Sequence, residues 1–205
     1  MDRPIVFTVG HSTHPVEHFI NLLDRHHIDV VADVRSTPFS RYNPQYNRDE
    51  LKGNLRENGI SYVFMGKEFG ARSDDPSCYR EGRVQYAALA TSEPFQSGVG
   101  RINEGVAKGH RIALMCAEKD PLECHRTILV AQTLDREGFE IAHILEDGQL
   151  ETHAVLTDRL ISLHKLGNGD LFMSRDEVVD SAFSRQEARI AYAAEYPSSE
   201  NAAEG

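Results

Sequence analysis

Five short apolar runs, each ending in a polar cluster, constrain this chain more than any other feature. They are Ile5–Val9, Asp29–Val34, Ser61–Met65, Arg111–Cys116 and Phe139–Leu145. Each is more nearly continuous than alternating in its apolar residues, the pattern of strands buried on both faces of a parallel sheet. Helical spacing fills the gaps. Pro15 suits a first helical position ahead of Phe19, Leu22 and Leu23, and Asn47-Arg-Asp-Glu50 reads as a capping box opening a helix that stops at Gly59. Ser73–Cys78 reads as a surface loop, Val84–Ala90 and Val99–Ala107 as helices broken around Pro94 and Gly98, and Ile128–Glu137 as part of the helix after the fourth strand. The predicted fold class is α/β, a three-layer Rossmann-like sandwich with a mostly parallel five-stranded sheet.

After Gly148 the pattern changes. Thr152–His164 has an apolar stripe of Leu156, Leu160 and Leu163, and Ser174-Arg-Asp-Glu177 is a second capping box, opening a helix through Phe183 towards Tyr192. The expected division is an α/β core over residues 1–149, a helical appendage over 150–196 that packs on the core or on a partner, and a disordered tail over 197–205. A homo-oligomer through the C-terminal helices is one partner this arrangement suits.

With 205 residues, 40% of them hydrophobic, the chain can bury a core of ordinary size. No apolar run is long enough for a membrane span, and the N-terminus lacks a signal-peptide layout. Three scattered cysteines (Cys78, Cys116, Cys124) do not make a secreted disulfide framework, so a cytoplasmic location is expected. The net charge of -10 argues against a broad face for duplex DNA. Arg35, Arg41, Arg48, Lys52 and Arg56 nevertheless form a locally basic stretch, suited to a small-molecule or nucleic-acid anion.

Ligands of open parallel sheets bind beyond the carboxyl ends of the strands. The polar residues gather there. Strand one ends in Gly10-His-Ser12, and strand two in Asp33-Val-Arg-Ser36 followed by Arg41 and Asn43. Strand three leads to Glu68, Gly70 and Arg72, and strand four to Cys116-Ala-Glu-Lys-Asp-Pro-Leu-Glu-Cys-His-Arg126. In this last stretch Asp120, Pro121 and Glu123 form a capping pattern, so a helix start should offer free N–H groups to an anion, with Lys119 and Arg126 adding charge. Cys116 is a candidate nucleophile, or simply a small residue closing a strand. The Cys-to-Arg spacing of phosphatase and rhodanese loops is absent: Leu122 stands where the arginine would be. Cys124 falls on a stripe with Ile128 and Ala131 and reads as packing. A metal held by Cys116, Cys124 and His125, with or without His11, is disfavoured because no paired cysteine motif is present, so no metal ligand is assigned and the cofactor is left open.

His11, Cys116, Glu118 and His125 are therefore the catalytic candidates, and Ser12, Arg35, Ser36, Arg41, Asn43, Lys119 and Arg126 the substrate-binding candidates. Asp33, costly to bury alone, needs an arginine or amide partner, while Arg35 is expected to reach a ligand anion. A strand order of 3-2-1-4-5 brings His11 beside Cys116; an order of 2-1-3-4-5 separates them. The other histidines, His143 and His153 among them, have no distinguishing spacing.

The motifs Val9-Gly-His-Ser12, Asp33-Val-Arg-Ser36, Arg41-Tyr-Asn-Pro44, Met115-Cys-Ala-Glu-Lys-Asp120 and Cys124-His-Arg126 resemble, in the same order, the bacterial and archaeal family catalogued as domain of unknown function 488. The resemblance spans about Ile5 to Leu145 and implies that these positions are a shared feature, without implying a reaction. The expected function is an enzyme, a hydrolase or transferase, acting on a phosphate-bearing substrate (a nucleotide, nucleic-acid end or modified base). The alternatives are a non-catalytic nucleotide- or anion-binding sensor, and a metal-dependent hydrolase or redox protein.

Overall fold

The computed structural model describes residues 3–167 and 173–193. In chain order the strands are β1 (Ile5–Gly10), β2 (Val30–Asp33), β3 (Ser61–Phe64), β4 (Tyr79–Arg80), β5 (Arg83–Val84), β6 (Ile112–Cys116), β7 (Glu140–Ile144) and β8 (Leu150–Thr152). The helices are α1 (Val16–Arg25), α2 (Arg48–Glu57), α3 (Gly66–Phe69), α4 (Tyr86–Thr91), α5 (Glu93–Ala107), α6 (Gln132–Arg136), α7 (His153–Leu163) and α8 (Arg175–Ile190). The protein is thus α/β, and the five expected strands are β1, β2, β3, β6 and β7.

The main sheet has six strands, in the order β3-β2-β6-β1-β7-β8, all parallel except β8, which runs antiparallel to β7. This corrects both the five-strand expectation and the Rossmann-like order. β6 inserts between β1 and β2, and Ile112–Cys116 is buried at every position, as suits a strand covered on both faces and both edges. β3, partly exposed along its length, takes the edge. The sixth strand comes from the segment read as appendage.

Alternation along the strands sends side chains to two cores. Phe7, Val9, Val31, Ala113 and Met115 meet Phe19, Leu23, Leu51 and Leu55 of α1 and α2. On the other face Val6, Ala32, Leu114 and Cys116 meet α3 to α8, with Leu156, Leu160, Val178, Ala182 and Phe183 of the last two helices in the same cluster. Among the described residues no helix is long and apolar enough to cross a membrane. The tail assigned to 197–205 lies outside the described residues.

Three local expectations change. α5 runs unbroken through Gly98, whose missing side chain lets Phe69 approach: a Cβ there would lie 2.8 Å from that ring. Asn47 starts α2 without capping it, because its Oδ1 accepts instead from Ser40 N at 2.7 Å. The loop at 73–78 contains a 3-10 turn and leads into a two-stranded hairpin of β4 and β5. The Ser174 capping box is made as the sequence suggests.

Two histidines with no sequence signal form a buried relay. Gln132 Oε1 accepts from His153 Nε2 (2.9 Å), leaving His153 Nδ1 to accept from His143 Nε2 (3.1 Å) and His143 Nδ1 to accept from Thr8 Oγ1 (2.8 Å). Every proton in this chain is placed only if both imidazoles are neutral. Burial depresses both, His143 well below its ordinary value, with His153 adding to that effect on His143. A depressed histidine stabilises the fold above the unfolded value and loses that contribution as pH falls. Urea midpoints should therefore drop as pH is lowered from about 7.5 to 5. In the Thr8→Val/His143→Leu double variant that drop should be shallower; an unchanged slope would show that these imidazoles do not carry it.

Candidate functional site

The adjacent ends of β2, β6 and β1 carry two connected polar groups, one on each side of the sheet. The first is built on Asp33, which is fully buried. Its Oδ1 accepts from Arg35 N (3.1 Å) and Nε (2.9 Å), and its Oδ2 from an Arg35 terminal nitrogen (2.6 Å) and Tyr62 Oη (2.7 Å). The partner Asp33 requires is therefore Arg35 itself. Arg35 further donates to Tyr46 O (2.9 Å) and His11 Nε2 (3.1 Å), which uses four of its five N–H groups. Burial opposes its charge, but the Asp33 bonds outweigh that and raise its pKa.

His11 is held just as closely. Its Nδ1 donates to Ser12 O (2.8 Å), its Nε2 lone pair faces Arg35, and its ring stacks on Tyr46 at 4.0 Å between centroids. Burial, then the Arg35 charge, lowers its pKa to about 4. It is a neutral ring whose basic nitrogen already has a donor. The backbones of His11 and Cys116 are bonded (N to O, 2.9 Å), yet the side chains leave opposite faces of the sheet, so the adjacency of β1 and β6 does not produce a direct His11–Cys116 pair.

The second group lies on the far face. Cys116 Sγ is 3.7 Å from His125 Nδ1, and Cys124 Sγ is 4.0 Å from the same nitrogen and 3.0 Å from Glu118 Oε2. His125 Nε2 donates to Val34 O at 3.0 Å, which leaves Nδ1 aimed between the sulfurs. Cys116 and Cys124 are 3% and 1% exposed, and the Cys116, Cys124 and His125 ligand atoms lie within 4.8 Å of one another. The hydrogen bond to Cys124, together with burial, pushes the Cys116 thiol up. Burial opposes ionisation of Cys124 too, but the Cys116 bond, Arg126 and His125 prevail and hold it well below the usual thiol range. His125 is raised against its own burial by Cys124, and Glu118 is raised by burial and by Cys124. The two sulfurs, the Glu118 carboxylate and the His125 imidazole thus influence one another's ionisation.

The geometry depends on the loop between the cysteines. Asp120 caps as expected, accepting from Leu122 N at 2.9 Å, but Pro121–Glu123 is only one 3-10 turn. The chain is extended at Cys124 and restarts as a π-helical segment, Arg126–Ala131, before α6. The expected long helix start, with its free N–H groups, is replaced by this break. Arg126, expected as part of an anion clamp, is wholly buried and donates to Glu118 O (2.6 Å) and Lys119 O (3.2 Å). The loop closes onto Gly10, where a Cβ would lie 2.0 Å from Glu118 O.

Two hollows open over these groups. One, of about 300 Å³, is lined by Arg35, Ser36, Arg72, Cys116, Glu118, His125 and the far-sequence Tyr192 among others. The other, of about 340 Å³, is lined by His11, Ser12, Arg35, Thr37, Ser40, Asn43, Glu118 and Lys119 among others. They share Arg35, Thr37, Ala117 and Glu118. Lys119 also pairs with Glu146, and Arg41 is exposed and lines neither hollow. Sequence reasoning missed Tyr46, Tyr62 and Tyr192 as parts of the site, and named Cys124 only as packing or as part of a disfavoured metal set. Arg72, noted there only as a strand-end residue, lies 4.4 Å over the Tyr192 ring.

The family model described as "Domain of unknown function DUF488" matches residues 15–133. The chain belongs to this family. The match includes Asp33, Arg35, Cys116, Glu118, Cys124 and His125, and ends short of the C-terminal helices; His11 and Ser12 precede it. No curated protein and no solved structure matches the chain.

Breaking a buried ion pair from one side costs about 3–5 kcal/mol, because the remaining charge is left uncompensated. Asp33→Asn should lower unfolding free energy by that order in urea titrations, and Tyr62→Phe by about 1–3 kcal/mol. Equal, small losses in both would show that Asp33 is not the anchor of this group.

Proposed function

We propose that the protein is an enzyme, a hydrolase or transferase, acting on a small substrate that bears a phosphate or comparable anion. One observation carries this reading: a sulfur, an imidazole and a carboxylate (Cys116, His125, Glu118) line one hollow, joined through shared residues to a second hollow rich in hydroxyl, amide and cationic groups. Ser12, Ser36, Thr37, Ser40, Asn43, Lys119 and the remaining Arg35 N–H would receive the anion. Arg126 is wholly buried and bonded to two loop carbonyls, where it acts as a positioning residue. Arg72 over Tyr192 offers a planar flank on which a base could stack, which favours a nucleotide, nucleic-acid end or modified base over a simple phosphoester. His11 and Asp33 act here as positioning residues, holding Arg35 still.

The purified chain should be assayed against phosphomonoesters, nucleotides and modified nucleosides, with products read by mass spectrometry. His125→Ala should lower kcat by about 10²–10⁴ while substrate affinity stays within a few fold. Ser36→Ala should act mainly on KM. Tight binding of a nucleotide with no turnover by the unmodified chain would replace the enzyme by a sensor using the same hollows.

A further inference from the structure

Resting on that placement of the reactive group, we infer that Cys116, Cys124 and His125 form a binding site for one thiophilic divalent cation, of the zinc class, with a fourth position open to the hollow. In a tetrahedral site with metal–sulfur and metal–nitrogen bonds of about 2.3 and 2.0 Å, neighbouring ligand atoms stand about 3.5–3.8 Å apart. The two sulfur-to-Nδ1 distances, 3.7 and 4.0 Å, already fall at or near that edge length, and all three atoms fit within 4.8 Å. A cation between them would draw the three ligand atoms together by no more than about 1 Å.

Three independent features support the site. His125 donates Nε2–H to a backbone carbonyl, the outer bond that fixes the tautomer and ring of a metal-bound histidine and leaves Nδ1 as the ligand. The sulfurs are buried among apolar side chains, so solvent reaches a bound ion only from the hollow. The surroundings are also asymmetric: Cys116, His125 and Glu118 line the hollow and Cys124 does not, so a bound ion would have one side facing the hollow. Two thiolates, one imidazole and an open position make the donor set of a catalytic zinc site rather than a closed structural one. Glu118, its Oε2 3.0 Å from Cys124 Sγ, stands beside that position, able to complete the coordination or to accept a proton from a water bound there. The sequence offers this same set but disfavours it, because no paired-cysteine motif is present; the geometry raises it.

The test uses the full chain, purified without a His-tag and dialysed against a chelator. Titration with Zn(II) should reach one ion per chain, and Co(II) should give the intense visible bands of a tetrahedral site together with a thiolate-to-cobalt charge-transfer band. In pulsed alkylation during partial unfolding, where all three buried thiols become reachable, Zn(II) should slow labelling of Cys116 and Cys124 more than that of Cys78. Cys124→Ala and His125→Ala should each weaken binding by more than the 10–100-fold typical of losing an outer partner, and Cys78→Ala should not. The alkylation arm uses the unaltered protein, so it decides the matter even where a variant fails to fold. Absence of the cobalt bands, sub-stoichiometric zinc, equal alkylation with and without zinc, or zinc binding indifferent to Cys124 and His125 would each overturn the site. Turnover that persists in a demonstrably metal-free chain would remove the metal while keeping the enzyme; one bound ion with no turnover on any substrate would do the reverse.

Discussion

The site depends on where one buried guanidinium points. Arg126 has no solvent exposure, yet its terminal nitrogens reach the carbonyls of Glu118 and Lys119. Those carbonyls belong to a tight loop with no strand or long helix to satisfy them, and Arg126 supplies their donors from the buried side. By bonding both, Arg126 ties the residues after β6 to the helix that follows, and so folds the chain back until the sulfurs of Cys116 and Cys124 face one another. Gly10 completes the arrangement from the neighbouring strand, since any side chain there would collide with the same loop.

The second constraint is the saturated Asp33 carboxylate. Its four hydrogen bonds set the direction of Arg35, and Arg35 in turn sets the ring of His11. This is rigid polar architecture in the middle of a strand end. It explains why the chain tolerates charged groups there: each is desolvated, and each has a partner within hydrogen-bond reach. The two groups lie back to back across the sheet, joined at the rim where the hollows share Arg35 and Glu118.

Much of this was legible in the sequence. Continuous apolar runs gave the parallel strands, and the polar clusters after them marked the correct end of the sheet. The strand order was not legible, because it depends on which strand needs cover on every side, and that emerges only when all five compete for the centre. Cys124 was read as a core residue because its stripe with Ile128 and Ala131 assumes a regular helix from Pro121. The extended break at Cys124 and the π-helical segment after it alter that register, so Cys124 sits in the core and still offers its sulfur to Glu118 and His125. Arg126 was read as part of an anion clamp because charge alone carries no information about burial. Tyr192 had no local signal at all, since it reaches the hollow from far along the chain.

That last residue has a consequence for biosynthesis. Tyr192 is brought to the hollow by a backbone bond from Val84 N to its carbonyl (3.0 Å), and Ile190 lines the same wall. Every group proposed to do chemistry has been synthesised by Arg126, but the wall that encloses it comes near the C-terminal limit of the described chain. On the ribosome Cys116 and Cys124 are therefore made well before Ile190 and Tyr192, the residues that wall the hollow. A chain that ended before α8 would keep every group proposed to do chemistry and lose the Ile190–Tyr192 wall beside Cys116 and His125.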